Sequence, residues 1–370
     1  MVLLCMSFVG ILFIIHKSFD GEKVKDQSVY SSPFTHNPDA PQNLEWFSSC
    51  QENSSVASID GFSRLPKHIQ DFLRYKHCRS FPQLLNEPQK CGGRAASKRV
   101  FLLLAIKSSP ENYNRRSVIR QTWGDQSNYA NAYVKRIFLL GMSKNQKENL
   151  HLRQLLRIES KLYSDILQWD LHDTFFNLTL KQVLFYHWLK EYCPEAHFIF
   201  NGDDDVFVNT FNVITYLREL RADSHLFVGL LIANVGPIRN PNSKYYVPLQ
   251  VTRSSSYPKY CGGGGILMSR LTAHAIYNKS LEIPLFPIDD VYLGMCLEKA
   301  GLVPSSHMAM KTAGIDRLGK LDSFDPCHYK ELLLVHRFVP YQMLVMWKAV
   351  QDPQLHCGRK VSVYIDKQRG

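Results

Sequence analysis

Two rhythms of apolar residues run along this chain. Short runs that are apolar throughout, Val100–Ile106, Ile137–Leu140 (ending at Gly141), Ile166–Leu167 with Trp169, and His197–Phe200, have the length of strands buried on both faces. Between them lie stretches with helical spacing or polar helical character: Arg115–Thr122, Lys144–Leu162, and a segment with Leu180, Val183, Leu184 and Trp188 in register, ending before Pro194. Strand and helix alternate, which predicts an α/β domain with a largely parallel central sheet flanked by helices.

The pattern before residue 98 is different. Val2–Ile15 is almost continuously apolar and stops at His16 and Lys17, so residues 1–17 read as an N-terminal signal anchor rather than a cleaved signal. Residues 18–43 are polar, rich in Pro, Ser and Asn, and read as a stem. Residues 44–97 carry Cys50, Cys78, Cys91 and a short amphipathic stretch at Ile69, Phe72 and Leu73, as a small cap would, leaving 98–370 as the main domain.

Composition narrows the classes. With 45% apolar and 21% charged residues among 370, the chain is globular. Its net charge of +11 is not gathered into a basic run, which argues against nucleic acid and leaves anionic small molecules or a membrane surface. Setting Cys5 aside, eight cysteines remain, scattered without a C-x-x-C pair, and their even number predicts disulfides rather than zinc. Sequons at Asn53, Asn177 and Asn278 agree with a secretory compartment.

Ligands of open sheets bind beyond the carboxyl ends of the strands. The fourth predicted strand is followed at once by Asn201, Gly202, Asp203, Asp204 and Asp205. Three adjacent carboxylates repel one another unless a cation joins them, and a hard divalent ion that bridges to phosphate oxygens suits them. The later ligand positions of an EF-hand are missing. A second acidic pair, Asp289–Asp290, opens a predicted helix, where it could merely favour the helix dipole or could supply a general base, with Asp290 ahead of Asp289. Gly262–Gly265 after Cys261 does not fit a phosphate loop and reads either as a wall letting a sugar approach the backbone, through Gly263 and Gly264, or as a flexible turn. Arg115, Arg116, Arg120 and Lys181 are candidates for a diphosphate, although single surface cations are usually just solvated. His336, ending the apolar run Leu332–Val335, is a core histidine or a metal ligand.

The ordered set Asn114–Arg116, Ile119, Arg120, Thr122–Gly124, then Trp169, Asp170, Asp173, Phe176–Thr179, Lys181, then Asp203–Asp205, Tyr260–Gly265, and Asp289–Tyr292 with Gly294 resembles the beta-1,3-glycosyltransferase family. The closing stretch, Phe324–Cys327, Tyr329, Leu332–Arg337, Pro340, Met343, Leu344, Met346 and Trp347, resembles its beta-1,3-N-acetylglucosaminyltransferases. The resemblance implies a nucleotide-sugar transferase A-type fold, a type II Golgi membrane protein with a lumenal catalytic domain, and UDP-N-acetylglucosamine as donor. It implies manganese held by Asp205 and His336, with Asp203 toward the metal or ribose. Asp290 then matches the base of an inverting transfer to a terminal galactose of poly-N-acetyllactosamine or mucin-type chains, with Arg115, Arg120, Asp170, Lys181, Asp204, Gly263, Gly264 and Asp289 around the substrates. A beta-1,3-galactosyltransferase and a catalytically silent, glycan-binding relative are the alternatives. A homo- or hetero-oligomer fits as well.

Overall fold

The computed structural model describes residues 50–126, 128–129, 131–143, 145–311 and 324–358. The predicted anchor (1–17) and stem (18–43) lie outside these residues. No helix among the described residues is long and apolar enough to cross a membrane.

Twelve strands, β1 (Gln83–Leu85), β2 (Leu102–Lys107), β3 (Asn128–Tyr129), β4 (Ala132–Met142), β5 (Ile166–His172), β6 (Phe198–Asp203), β7 (Val206–Val208), β8 (Phe227–Ile232), β9 (Tyr260–Ser269), β10 (Ser305–Ser306), β11 (Met310–Lys311) and β12 (Leu334–His336), occur among the described residues. The α-helices are α1 (Lys67–Tyr75), α2 (Tyr113–Gln121), α3 (Gln146–Tyr163), α4 (Leu178–Tyr192), α5 (Thr210–Arg218), α6 (Arg270–Ser280), α7 (Asp289–Lys299), α8 (Pro326–Glu331) and α9 (Pro340–Gln351).

The central sheet has the order β1-β5-β4-β2-β6-β9-β8-β10, with β3 beside β4. Its core, β5-β4-β2-β6, is parallel throughout, while β9 runs against both β6 and β8. This is the mostly parallel sheet that the alternation of apolar runs and helices implies. Both faces of the sheet are buried because the side chains alternate. Leu103 and Ala105 of β2 join a core with α4, α6 and α7, whereas Leu102, Leu104 and Ile106 join one with α2, α5 and α9.

From β2 the chain winds outward through α2 to β4 and through α3 to β5, then returns over α4 to β6 on the other side of β2. Winding reverses between β2 and β6, and such a reversal leaves a crevice at the carboxyl edge. Lys107 and Asp203, the last residues of these two strands, are register partners there. A small second sheet, β11-β12-β7, completes the edge: β7 follows the acidic triplet and pairs antiparallel with β12, setting Val206 opposite His336.

Residues 50–97 belong to the same compact unit as the rest, since β1 adds an edge strand to β5 and Cys91 is bridged to Cys193. Cys50–Cys78 and Cys327–Cys357 are also bridged. The expectation that all eight cysteines pair needs correction: Cys261 on β9 and Cys296 on α7 are buried free thiols. Burial pushes each thiol up to about 12, so neither forms much thiolate at neutral pH.

A buried ion network braces α2 and α3 against β4. Asp165, with no exposed surface, accepts from Arg120 at 2.9 and 2.8 Å and from Arg136 at 2.9 and 2.6 Å. Glu159 takes both Arg116 (2.8 Å) and Arg120 (2.7 Å). Replacing Asp165 by Asn leaves Arg136 in the core without its carboxylate and Arg120 with Glu159 alone, which costs about 3–5 kcal/mol. Urea unfolding followed by tryptophan fluorescence should show that loss, and a loss under about 1 kcal/mol would mean the arginines find other partners.

Candidate active site

A cleft of about 580 Å³ opens at the carboxyl edge of β2 and β6, lined by Lys107, Arg115, Lys181, Asp203–Asp205, Gly262, Gly263, Asp289, Asp290 and His336 among others. Its acidic floor comes from the β6–β7 turn. Asp203 is the last residue of β6, three positions beyond where the apolar run stops, because Asn201 and Gly202 continue the ladder with β2 and β9. A Cβ on Gly202 would stand 2.7 Å from the carbonyl oxygen of Gly264, so the strand can pass only as glycine.

Asp205 is fixed by the β7–β12 pairing: its carbonyl accepts from the Phe338 N–H at 2.8 Å, and its Oδ1 lies 3.1 Å from His336 Nε2. Burial would raise this carboxyl, but the hydrogen bond and charge of His336, together with Arg115, outweigh it and hold Asp205 below the usual carboxylate range. Asp204 turns the other way, into the loop after β2. Its Oδ2 accepts from Ser108 Oγ at 2.7 Å and from Asn112 Nδ2 at 2.9 Å, while burial pushes its pKa up. Arg115 Nη1 stands 3.5 Å from Asp204 and 3.7 Å from Asp205.

Across the cleft, α7 begins with Asp289 and Asp290, where a helix N-terminus favours negative charge. Lys107 links the two acidic groups. Its Nζ is 3.1 Å from Asp203 and 2.9 Å from Asp289. Burial opposes the charge on this lysine, yet Asp203, Asp289 and Asp290 together raise its pKa well above the ordinary value. Asp290 feels the Lys107 charge and accepts a hydrogen bond from the Gly263 N–H, but neither outweighs what opposes its ionisation. Burial first, then the neighbouring charge of Asp289, raises its pKa well above that of a free aspartate.

The glycine run is neither a loop nor a turn but the amino-terminal half of β9. Glycines carry no apolar signal, so the pattern hid a strand. A Cβ at Gly263 would meet Asp290 Oδ2 at 3.2 Å, and one at Gly264, whose φ is +106°, would meet the His336 ring at 3.0 Å. Gly263 lines the cleft, whereas Gly264 backs the imidazole.

Two residues expected around the substrates lie elsewhere. Arg120 is committed to Asp165 and Glu159 and covers the Tyr163 ring at 4.0 Å, because α2 turns that face toward β4. Asp170 is on β5 beside β1, its N–H bonded to the Pro82 carbonyl and its side chain outside the cleft lining. Arg116, buried against Glu159, is structural as well. Lys181 does reach the cleft, held by Asp173 at 2.7 Å and the Ser108 carbonyl at 3.0 Å. Lys107 escaped the sequence reading. The signal was there, a lysine ending a buried strand and followed by Ser108 and Ser109.

One carboxylate oxygen each from Asp203 and Asp205 and a nitrogen of His336 lie within 4.8 Å of one another. Two carboxylates and an imidazole, with open cleft on the remaining side, are a donor set that fits a first-row divalent cation such as manganese.

The description "Galactosyltransferase" belongs to the family model matched by residues 114–308. The chain is 49% identical over 317 residues to human N-acetyllactosaminide beta-1,3-N-acetylglucosaminyltransferase 3, covering 85% of this chain and 84% of that one. It is 49% identical to the mouse acetylgalactosaminyl-O-glycosyl-glycoprotein beta-1,3-N-acetylglucosaminyltransferase, covering 84% and 80%. To the rat UDP-GlcNAc:betaGal beta-1,3-N-acetylglucosaminyltransferase 7 it is 44% identical, covering 85% and 79%.

Proposed function

Because the chain belongs to the galactosyltransferase family, with beta-1,3-N-acetylglucosaminyltransferases as its relatives, we propose that it transfers N-acetylglucosamine from UDP-N-acetylglucosamine, with inversion, to the 3-hydroxyl of a terminal galactose. The observation that carries this reading is the convergence of Asp203, Asp205 and His336 at the end of β6, with the Asp289–Asp290 pair facing them across the cleft.

In this reading Asp203, Asp205 and His336 would hold manganese, which supplies neutralisation of the charge that develops on a departing diphosphate. Arg115 and Lys181 add positive charge at the same wall. Asp290 accepts the proton of the attacking hydroxyl as the new glycosidic bond forms and the bond from the anomeric carbon to the diphosphate breaks. Lys107 bridges Asp289 and Asp203 at 2.9 and 3.1 Å and fixes both in place, leaving Asp290 as the carboxylate of the pair outside that ion-pair bridge. The disulfides and the predicted anchor support a Golgi lumenal address with type II topology.

The test is a donor and acceptor panel. The protein is incubated with manganese, galactose-terminated acceptors of N-acetyllactosamine and mucin type, and separate UDP-sugars. A product carrying beta-1,3-linked N-acetylglucosamine is expected. Transfer from UDP-galactose alone would replace this donor assignment, and binding without turnover would point to a silent, glycan-binding relative.

A further inference from the structure

We propose that Arg79, from the segment preceding the central sheet, is a positioning residue that fixes the start of α7 and with it Asp290; the inference rests on the reading of Asp290 as the base. The geometry is specific. α6 ends at Ser280, and the chain reaches Asp289 through residues 281–288. Two backbone carbonyls of this turn, those of Ser280 and Ile283, have no helical partner to donate to them.

Arg79 supplies both hydrogen bonds. Its Nη1 donates to the Ser280 carbonyl at 2.7 Å and its Nη2 donates to the carbonyl of Ile283. The fully buried Tyr292 hydroxyl lies 3.0 and 3.1 Å from the same two oxygens, and Arg79 Nη1 lies 3.5 Å from that hydroxyl. Tyr292 stands one turn after Asp289, its N–H bonded to the Ile288 carbonyl. One guanidinium therefore ties the entry turn and the first turn of α7 into a single unit. Planar, forked donors suit this double contact better than an ammonium group does.

Arg79 is itself held. Its neighbour Cys78 is buried and bridged to Cys50, and α1 just before it packs Ile69 and Leu73 into a small core. The far side of the turn is fixed independently, by Thr179 Oγ1 donating to the Phe286 carbonyl at 2.7 Å. With Arg79 removed, the turn keeps that contact and the Tyr292 hydroxyl but loses two charge-assisted bonds, so α7 can shift at its reactive end while the donor-side residues on β2, β6 and β12 stay in place. Misplacement by about 1 Å can lower a rate by roughly 10².

Arg79→Ala, Arg79→Lys and Tyr292→Phe are compared with the unaltered full chain, rates being divided by the fraction that binds UDP and manganese. For Arg79→Ala we expect kcat to fall by about 10–100-fold with the donor KM and UDP affinity within about twofold. The lysine variant should recover part of kcat, and Tyr292→Phe should show the same split to a smaller degree. If kcat per binding site is unchanged in Arg79→Ala, or falls only together with UDP affinity, the positioning role is wrong. Should Arg79→Ala fail to fold, the other two variants decide, and unaltered kcat in both overturns the proposal. Assay of the unaltered chain separates the outcomes, since its inactivity toward UDP-N-acetylglucosamine would instead sink the function on which the inference rests.

Discussion

Asp290→Asn is expected to leave UDP binding within about twofold of the unaltered protein while turnover drops by roughly 10²–10⁴. The side chain keeps its size and its place against Gly263, so the cleft is not reshaped. What disappears is the ability to take a proton. The pH profile carries the same signature. Burial and the charge of Asp289 raise the pKa of Asp290, so it stays protonated and inactive to higher pH than a free aspartate would. The acid limb of kcat/KM should therefore lie above the ordinary carboxylate range of about 4. Asp289→Asn removes one of the two main causes, and the limb should move to lower pH. Near-normal turnover in Asp290→Asn would reassign the base, with Asp289 the next candidate.

Asp205→Asn is expected to remove the dependence of UDP binding on manganese. Asp205 is the group whose pKa is held down, already shaped to stay ionised, and it lies in hydrogen-bond contact with the imidazole that completes the donor set. Changes to groups that merely support a ligand cost 10–100-fold in metal affinity, so loss of the ligand itself should cost at least about that much. Titrating UDP by calorimetry with and without manganese measures it. Equal UDP affinities across all four conditions, two proteins with and without metal, would remove the metal site from the proposal. His336→Ala should give the same result, since among the described residues no other imidazole enters the cleft lining.

Much of this was legible from the chain alone, for identifiable reasons. The core strands β2, β4, β5 and β6 each contain a short apolar run buried on both faces, and these runs stand out without any need for alternation. The acidic motifs also sat where open-sheet topology puts ligands. Three things were hidden. β9 carries four consecutive glycines, Gly262–Gly265, that give no hydrophobic signal. Whether a cation binds substrate or braces the core depends on which side of a helix it leaves from, so Arg120 and Lys181 looked alike while one is tied to Asp165 and the other reaches the cleft. Cysteine parity counts thiols without measuring their separation, and Cys261 and Cys296 are buried without forming a bridge.

The donor set of the cleft is drawn from distant parts of the chain. Asp203 and Asp205 leave the ribosome more than a hundred residues before His336, and the imidazole reaches them only after β12 has zipped onto β7. A chain halted before residue 334 could lay down the parallel strands, yet it would present the two aspartates without the imidazole that completes the set. Competence to grip a nucleotide sugar would then appear late and abruptly in biosynthesis, as a property of the completed polypeptide rather than of its nucleotide-binding half.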